Sequence, residues 1–482
     1  MHKVWSVSGR SIAVSALALA LTACQSMRGP EPVAQANIPE QGYIAPTAGP
    51  SIAEKGYKDF FSDQRLLQVL DLAVANNRDL RISTLNIQRA QQQYQITQNN
   101  QLPTIGASGG VLRQDTLNTN GAMTSYNVGL GVTAYELDFW GRVRSLKDNA
   151  LDTYLATSSA RDATQIALVG QVAQAWLNYS FANANLKLAD QTLKAQLESY
   201  NLNKKRFDVG IDSEVPVRQA QISVETARND VANYKTQIAQ AKNLLNLLVG
   251  EQVPANLLPN QRITRISQSN VLSAGLPSDL LNNRPDIRAS EYKLSAAGAN
   301  IAAAKARLFP TISLTGNAGY ASTSLSDLFK SGGFIWSIGP SIDLPIFDWG
   351  TRQANIKISE TDQQIALSDY EKSIQSAFRE VNDALAVRQN IGDRLAAQRR
   401  LVDATNVTYK LSNARFRAGI DSYLTVLDAQ RTSYAAEQGL LLLEQANMNN
   451  QVEVYKTLGG GVKANTADTP AQQPSSAERY AQ

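Results

Sequence analysis

Residues 200–213 read YNLNKKRFDVGIDS, and residues 409–422 read YKLSNARFRAGIDS. A tyrosine, a leucine, an Arg-Phe pair and the run Gly-Ile-Asp-Ser occupy the same places in both, at an offset of 209 residues (409 − 200). The same offset relates three further pairs: Trp140-Gly141 to Trp349-Gly350, Ala220-Gln221 to Ala429-Gln430, and Gly250 to Gly459. One register therefore holds over 110 residues (250 − 140), which indicates a tandem duplication.

The duplication divides the chain into two repeats and four shorter segments. We predict a signal peptide (1–23), an extended N-terminal lead (24–56), repeat 1 (57–260), a linker (261–276), repeat 2 (277–460) and a polar C-terminal tail (461–482). Each repeat is predicted to contain a helix, two strands and a helical hairpin. The strands are predicted near 104–137 and 311–344, and the hairpins near 142–250 and 351–458.

Proline-free stretches predict the long helices. Residues 142–208 contain no proline in 67 residues and are rich in Ala, Leu, Gln, Asn and Lys, and residues 351–418 are similar. At 1.5 Å per residue such a helix is about 100 Å long, so it must pack lengthwise on other helices as a coiled coil. The opening helix of repeat 1 is predicted over residues 64–101, with Asp63 as its cap.

Alternating side chains predict the strands. Apolar residues alternate with Gly, Asn and Thr over 126–134, and similar alternation occurs over 312–320 and 334–342, whereas the first strand, 104–113, has a weaker pattern. Such alternation is typical of membrane-crossing β-strands, although a small antiparallel sheet with one hydrated face would show it too. Strands cross a membrane only in closed barrels, and single-chain barrels need at least about 8 strands. Four membrane strands would therefore require several copies of the chain.

The run Gly-Ile-Asp-Ser predicts the turn between the two helices of each hairpin. Gly210 and Gly419 can adopt the left-handed conformation that ends a helix. In repeat 1, Asp212 or Ser213 can cap the next helix, and in repeat 2 the corresponding residues are Asp421 and Ser422.

The scarce residue types exclude several classes of function. The single histidine is His2 and the single cysteine is Cys24. The body of the chain therefore lacks the residues that a histidine-based triad, a His/Cys zinc site or a catalytic thiol requires. Chemistry that uses only carboxylates remains possible, but we find no Gly-rich phosphate loop and no GxSxG motif. The 46 basic and 42 acidic residues nearly balance, which argues against a nucleic-acid partner. We predict a protein that is not an enzyme and has no cofactor.

The N-terminus has the features of a secretory signal. Lys3 and Arg10 precede a short apolar stretch, 11–21, and the sequence Leu-Thr-Ala-Cys follows at 21–24. This last motif resembles the bacterial lipobox, which implies cleavage before Cys24 and lipid attachment to it. By the same resemblance, Gln25 after the cysteine favours the outer membrane. An ordinary signal peptide with a chance cysteine is the alternative.

Taken together, the duplicated RFxxGIDS turns, the sequence LTVLDAQR at 424–431, Arg284-Pro-Asp-Ile and the lipobox resemble the outer membrane factor (TolC-like) family, in particular its lipidated OprM-like branch. The resemblance covers nearly all of residues 57–460. It implies an α+β, tandem-duplicated fold and a homotrimer with a 12-stranded outer-membrane β-barrel, four strands per chain. That barrel would be continuous with a long periplasmic α-helical barrel of coiled coils.

The resemblance also implies a function and partners. The chain would be the outer-membrane exit duct of a tripartite efflux pump, contacting outer-membrane lipids, a periplasmic adaptor (membrane fusion protein) and an inner-membrane transporter of the resistance-nodulation-division (RND) class. A duct for protein or peptide export and a periplasmic coiled-coil lipoprotein without a pore are the alternatives.

Functional residues follow from the same resemblance. It implies a periplasmic gate at Leu424 and Asp428, with Arg431 and Tyr423 as weaker candidates for contacts that hold the tip closed. Asp428 could instead simply stabilise the first turns of its helix through the macrodipole. A further set is implied to meet the adaptor at the hairpin tips: Gly210, Ile211, Asp212, Gly419, Ile420 and Asp421. Turn chemistry alone would also explain these six residues.

Overall fold

The computed structural model describes residues 29, 32–34, 55–115, 121–268 and 281–461. The predicted signal peptide, Cys24 and residues 462–482 of the polar tail lie outside the described residues. So do most of the N-terminal lead and residues 269–276 of the linker.

Each repeat of the described chain contributes helices, two strands and a hairpin of long helices. The elements of repeat 1 are α1 (Tyr57–Phe60), α2 (Gln64–Asn76), α3 (Arg78–Asn99), β1 (Ile105–Gln114), β2 (Met123–Glu136), α4 (Arg142–Asp208) and α5 (Glu214–Val249). The elements of repeat 2 are α6 (Pro285–Ala306), β3 (Thr311–Ser322), β4 (Phe334–Asp343), α7 (Thr351–Arg417) and α8 (Tyr423–Thr457). Short 3₁₀ turns occur at Ala255–Leu257 and Leu325–Asp327. None of the helices in the described part of the chain combines the length and apolar character that a membrane span requires.

One compact unit contains the sheet and the helix segments 85–99, 142–158, 289–306 and 351–372. The four strands are antiparallel in the order β1-β2-β3-β4, so both repeats contribute to one open sheet. The pairing of β2 with β3 joins the repeats, and a bulge between Val132 and Tyr135 interrupts it. Since β1 and β4 pair only with β2 and β3 in the described chain, each has an unpaired outer edge.

The strand register gives the sheet two chemically different faces. A row across one face contains Ala107, Leu130, Ala318 and Trp336, whereas a row across the other contains Gly106, Gly131, Asn317 and Ser337. Leu130 is 60% exposed and Trp336 is 68% exposed. The large apolar side chains therefore lie together on one face, which the described residues leave exposed.

The second compact unit contains the hairpin helices α5 and α8 and most of α4 and α7, together with the elements of 55–84 and residues 261–268 of the linker. Its most buried residues include Trp176, Phe61 and Tyr455. The end of repeat 1 and the first residue of the linker are fastened to α4, because the Trp176 Nε1 donates to the Leu257 carbonyl at 3.0 Å and the Ser180 hydroxyl donates to the Gln261 carbonyl at 3.1 Å.

The opening helix of repeat 1 differs from the prediction. Asp63 caps it as predicted, because its Oδ1 accepts from the Arg65 N–H at 2.9 Å. The helical stretch predicted over 64–101 is nevertheless broken at Asn77, which has extended backbone. The Asn77 Oδ1 accepts from the Leu80 N–H at 2.8 Å, and its Nδ2 donates to the Leu248 carbonyl at 2.7 Å. The side chain thus caps α3 and holds the break against the end of α5.

The close approach of β2 and β3 depends on glycine. A Cβ on Gly319 would overlap the Val128 carbonyl oxygen and lie 2.6 Å from the Gly129 Cα, whereas a Cβ on Gly339 of β4 would meet nothing within 4 Å. We expect Gly319→Ala to destabilise the sheet by roughly 1–3 kcal/mol, the usual cost of overpacking. Thermal unfolding in detergent should show a lower midpoint for Gly319→Ala, with Gly339→Ala close to wild type. Equal midpoints for the two variants would contradict this packing argument.

Candidate functional site

The turns that join the hairpin helices have the same backbone in both repeats. Gly210 has φ of 76° and Gly419 has φ of 75°, so both adopt the predicted left-handed conformation. The N–H of the isoleucine after each glycine donates to the carbonyl of the motif arginine, at 2.8 Å for Ile211 and 3.0 Å for Ile420. These bonds satisfy the last carbonyls of α4 and α7, as in a Schellman motif.

The predicted capping by the turn aspartates and serines is wrong in its side-chain detail. Ser213 and Ser422 occupy the N-cap positions of α5 and α8, but neither side chain makes a capping hydrogen bond. Asp421 instead accepts from Arg415 Nε at 2.7 Å and Nη2 at 3.0 Å, and Asp212 lies 3.4 Å from Arg206 Nε. In the second turn the guanidinium is a charge-assisted, bidentate partner, which a single backbone N–H does not match, whereas in the first turn Asp212 Oδ1 accepts from the Ser213 N–H at 3.0 Å.

The ion pair of the second turn changes the titration of both partners. The hydrogen bond from Arg415 holds the pKa of the Asp421 carboxyl below its usual value, and the same bond raises the pKa of Arg415. The arginine and aspartate of RFxxGID therefore close the second turn on itself.

A small core supports the second turn. Phe416, Tyr423, Val426 and Leu427 pack there with Ala220 of α5. Burial raises the pKa of Tyr423 to about 12, so its phenol stays protonated at neutral pH. Tyr423 is only 3% exposed, which makes it part of the packed interior of the tip rather than of the exposed gate candidates.

The other three gate candidates lie on one exposed side of α8. Leu424, Asp428 and Arg431 are spaced by four and three residues, so they fall along one stripe of the helix, and all three are exposed. Leu424 is 58% exposed. Tyr423 lies outside this stripe, because Val426, Leu427 and Tyr423 form the packed side of the same helix turns.

Arg431 also borders a groove between α7 and α8. The groove has a volume of about 460 Å³ and is lined by Gln398, Leu401, Arg431, Thr432, Ala435 and Ala436. It continues the exposed stripe of α8 away from the turn.

The first hairpin presents the corresponding positions without charge. Val215 and Ile222 are each 60% exposed, and Gln219 between them is half-buried. The stripe is therefore a feature of both repeats, but the acid and the base are present in repeat 2 alone.

The residues predicted to meet the adaptor lie at the turns. Ile211 is 68% exposed and Ile420 is 63% exposed, so each turn presents a large apolar side chain to its surroundings. Their neighbours Asp212 and Asp421 are engaged by arginines of the preceding helices.

Two polar contacts between α5 and α8 were not anticipated from the sequence. The Tyr434 hydroxyl donates to Asp230 Oδ2 at 3.1 Å, and Gln438 Nε2 donates to the Tyr234 hydroxyl at 3.0 Å. Burial and the nearby Asp230 raise the pKa of Tyr434. Nothing in the local sequence marks these residues, because the partners are 204 positions apart.

The tip also contains buried polar atoms without protein partners. Asn203 of α4 is fully buried and Gln430 of α8 is 5% exposed. In the described part of the chain, neither the Asn203 Oδ1 nor the Gln430 Oε1 has a hydrogen-bond partner. Leaving a buried acceptor without a hydrogen bond costs roughly 1–3 kcal/mol of stability. The buried polar atoms of the tip are therefore less completely hydrogen-bonded than those of most protein cores.

Comparisons of this chain with family models, individual proteins and solved structures agree with one another. A family model described as "Outer membrane efflux protein" matches residues 69–251 and 276–460. The antibiotic efflux pump outer membrane protein ArpC of Pseudomonas putida is 41% identical over 460 residues, covering 94% of this chain and 95% of that protein. The solvent efflux pump outer membrane protein SrpC of Pseudomonas putida is 45% identical over 410 residues, covering 84% of this chain and 87% of that protein. The open-state crystal structure of the Neisseria gonorrhoeae MtrE outer membrane channel is 36% identical, covers 91% of this chain and 98% of that one, and has a TM-score of 0.84.

The Arg415–Asp421 pair should make the second turn sensitive to acid. Because the pKa of Asp421 is lowered on folding, the contribution of the pair is present above the ordinary aspartate pKa of about 4 and is lost as the pH falls through the folded value. We expect the Ile420 amide to lose protection against hydrogen exchange between about pH 5 and about pH 2. Arg415→Gln should give low protection throughout this range. Protection in the wild type that does not change with pH would show that the ion pair does not hold the turn.

Proposed function

Because the chain belongs to the outer membrane efflux protein family, we propose that it is the outer-membrane duct through which a tripartite pump expels small organic molecules. The family is one of outer-membrane channels that extend into the periplasm, and the α+β, tandem-duplicated fold is that of the TolC-like channels. The role of the chain is passage rather than catalysis.

The open sheet is the observation that carries the proposal. Its apolar face is exposed, and the outer edges of β1 and β4 are unpaired in the described chain. Backbone groups in a bilayer must be hydrogen-bonded within protein. Three copies, each contributing four strands, would pair every edge in one 12-stranded barrel and turn the apolar faces toward lipid. The small polar faces would then line the lumen.

The hairpin tips support the same assembly. Phe416 of repeat 2 is 4% exposed in the tip core, whereas its repeat 1 counterpart Phe207 is 42% exposed. The duplicated motif thus places the same aromatic residue in a packed and in an uncovered setting. In a homotrimer, a neighbouring chain would cover Phe207 and Val209.

The cargo and the partners follow from the family. Such channels work with periplasmic adaptors and inner-membrane transporters, and the relatives ArpC and SrpC are named for antibiotic and solvent efflux. We assign an RND-class transporter and a membrane fusion protein as partners, with the exposed Ile211 and Ile420 of the turns contacting the adaptor. Lipid on Cys24 would add an anchor in the outer membrane.

The gate of the duct is assigned to the exposed stripe of α8. In a trimer, three copies of Leu424 and Asp428 facing the axis would form an apolar plug and a ring of like charges. The ring would repel anions and attract cations by Coulomb interaction. Arg431, on the same stripe, would hold the tips together through contacts with neighbouring acids, while the buried Tyr423 supports the stripe from within.

The shared barrel predicts that the protein is a trimer and conducts ions. Native mass spectrometry in detergent should show three chains and no folded monomer, because each chain alone exposes two strand edges. Planar bilayers should show discrete channel openings. A stable monomer with native circular dichroism, or a trimer that never conducts, would contradict the duct.

In cells, deleting the gene should increase susceptibility to organic antibiotics.

The gate assignment predicts an asymmetry between the repeats. Leu424→Ala with Asp428→Ala should raise single-channel conductance several-fold and admit large antibiotics to cells that lack an active pump, because both plug and charge are removed. Arg431→Ser should have a smaller effect in the same direction.

The matched control is Val215→Ala with Gln219→Ala, at the corresponding positions of repeat 1. This pair removes a similar amount of side chain but no acid, so its conductance should stay near that of the wild type. Equal leakage from both double variants would place the gate elsewhere.

A further inference from the structure

A tryptophan lies between the second strand and the long helix of each repeat. Trp140 and Trp349 are equivalent by the offset of 209, and each lies two residues before its helix, α4 or α7. The Trp140 Nε1 donates to the Pro310 carbonyl at 2.7 Å, and the Trp140 ring stacks on Phe309 with the ring centroids 4.8 Å apart. Pro310 immediately precedes β3, so the tryptophan that follows β2 is fastened to the start of the neighbouring strand.

Trp349 has no such cover within the described residues. It is 88% exposed, whereas Trp140 is half-buried. Its ring meets that of Phe347, which is itself exposed. Trp349 also has φ of 55°, a left-handed conformation that Trp140 does not share and that a bulky side chain rarely adopts. A large side chain on a strained backbone is typical of a place where contacts from elsewhere hold it.

Counterparts of Phe309 and Pro310 are present at the other edge of the sheet. The run Leu-Pro-Thr-Ile at 102–105 corresponds to Phe-Pro-Thr-Ile at 309–312, at an offset of 207. Leu102 is 66% exposed, and Pro103, immediately before β1, is exposed too. The outer edges of β4 and β1 are both unpaired in the described chain. One edge therefore has the uncovered tryptophan, and the opposite edge has the uncovered equivalents of its partners.

The neighbouring helices show the same relation. The bounds of α7 follow from those of α4 by adding 209, and the bounds of α6 follow from those of α3 by adding 207. Within the chain α4 contacts α6, because the Asn149 Nδ2 donates to a carbonyl of α6 at 2.9 Å. Ala156 of α4 and Ala303 of α6 are buried, whereas their equivalents, Ile365 of α7 and Ile96 of α3, are exposed. Larger apolar side chains thus stand uncovered on the two helices that lack the equivalent contact.

We propose that Trp349 of one chain packs on Leu102 of the next chain and donates its indole N–H to the Pro103 carbonyl there. The α7 helix of the first chain then lies along α3 of the second. The interface between two copies in this way repeats the contact between the two repeats of one copy. The inference rests on the proposed function, since it specifies how the chains of the shared barrel meet.

A lipid surface is the other environment that suits an exposed tryptophan, because aromatic side chains gather at membrane–water interfaces. Lipid would account for the exposure of Trp349 alone. It would not account for the exposed equivalents of Phe309, Pro310 and Ala303 at the opposite edge of the same chain. A second copy accounts for both edges at once.

The test is cross-linking of the full-length protein in outer membranes. Trp349→Cys with Leu102→Cys, treated with a short bismaleimide, should give products of two and three chain masses in denaturing electrophoresis. The single variants, which keep Cys24, should give none. The matched control is Trp349→Cys with Phe309→Cys. It should also give none, because Phe309 is the equivalent of Leu102 but lies against Trp140 of its own chain.

The stability of the purified trimer gives an independent measurement. Trp349→Ala should lower the temperature at which the trimer dissociates in detergent by several degrees, and Trp349→Phe should cause a smaller loss because it keeps an aromatic ring but has no N–H. Trp336→Ala is the control, since it removes the same side chain from the exposed apolar face of β4. Its midpoint should stay near that of the wild type.

Three results would overturn the inference. The first is a trimer without cross-links between chains or with equal cross-links in the Phe309→Cys control. The second is equal dissociation temperatures for Trp349→Ala and Trp336→Ala. The third is Trp349→Cys that reacts with a maleimide on a lipid headgroup rather than with Leu102→Cys, which would place the side chain at the membrane surface.

The failures of the two proposals are distinguishable. A wild-type trimer that conducts in bilayers but whose paired cysteine variant gives no cross-links overturns this inference alone. A cross-linked trimer that never conducts overturns the proposed duct and leaves the contact between the chains in place.

Discussion

The unpaired backbone edges of β1 and β4 are the constraint on which the rest of the structure depends. Four strands form a sheet with two such edges and one uncovered apolar face, and a bilayer tolerates neither in an isolated chain. The duplication supplies two strands per repeat, and the β2–β3 pairing joins them across Gly129 and Gly319, where side chains would not fit. Completion of the sheet then requires other copies, so oligomerisation is part of folding rather than an addition to it.

The duplication explains why one motif performs different tasks in the two repeats. Both turns use the same left-handed glycine and the same closing arginine and aspartate, because these interactions lie within a few residues of the chain. The environment of each turn is set by which helices pack against it. Arg206 lies over the Phe416 ring, 5.2 Å from its centroid, so the first motif helps to bury the aromatic residue of the second. Within the described part of its own chain Phe207 has no equivalent cover, and it is 42% exposed.

Local interactions were therefore predictable from the sequence, and interactions between distant segments were not. The long helices, the alternating strands, the cap at Asp63 and the left-handed glycines all follow from patterns spanning a few turns or residues. The break at Asn77 could not be predicted, because it depends on the Leu248 carbonyl, 171 positions away. The predicted caps failed because Asp421 accepts from the Arg415 guanidinium instead, and neither Ser213 nor Ser422 makes a side-chain capping bond. The spacing of Leu424, Asp428 and Arg431 places them on one side of α8, whereas the burial of Tyr423 depends on Phe416 and Ala220.

The distribution of satisfied and unsatisfied polar groups indicates where such a duct can move. Uninterrupted ladders of ten residue pairs join β1 to β2 and β3 to β4, so displacement of one strand would break many hydrogen bonds at once. The tip has the opposite character, since Asn203 and Gln430 keep buried oxygens without partners in the described chain. A rearrangement that gave those oxygens donors or water would recover part of their desolvation cost, which lowers the free energy needed to leave this conformation. Gating would then depend on two features: buried oxygens at the tip that lack hydrogen bonds, and strands in the sheet whose ladders are uninterrupted.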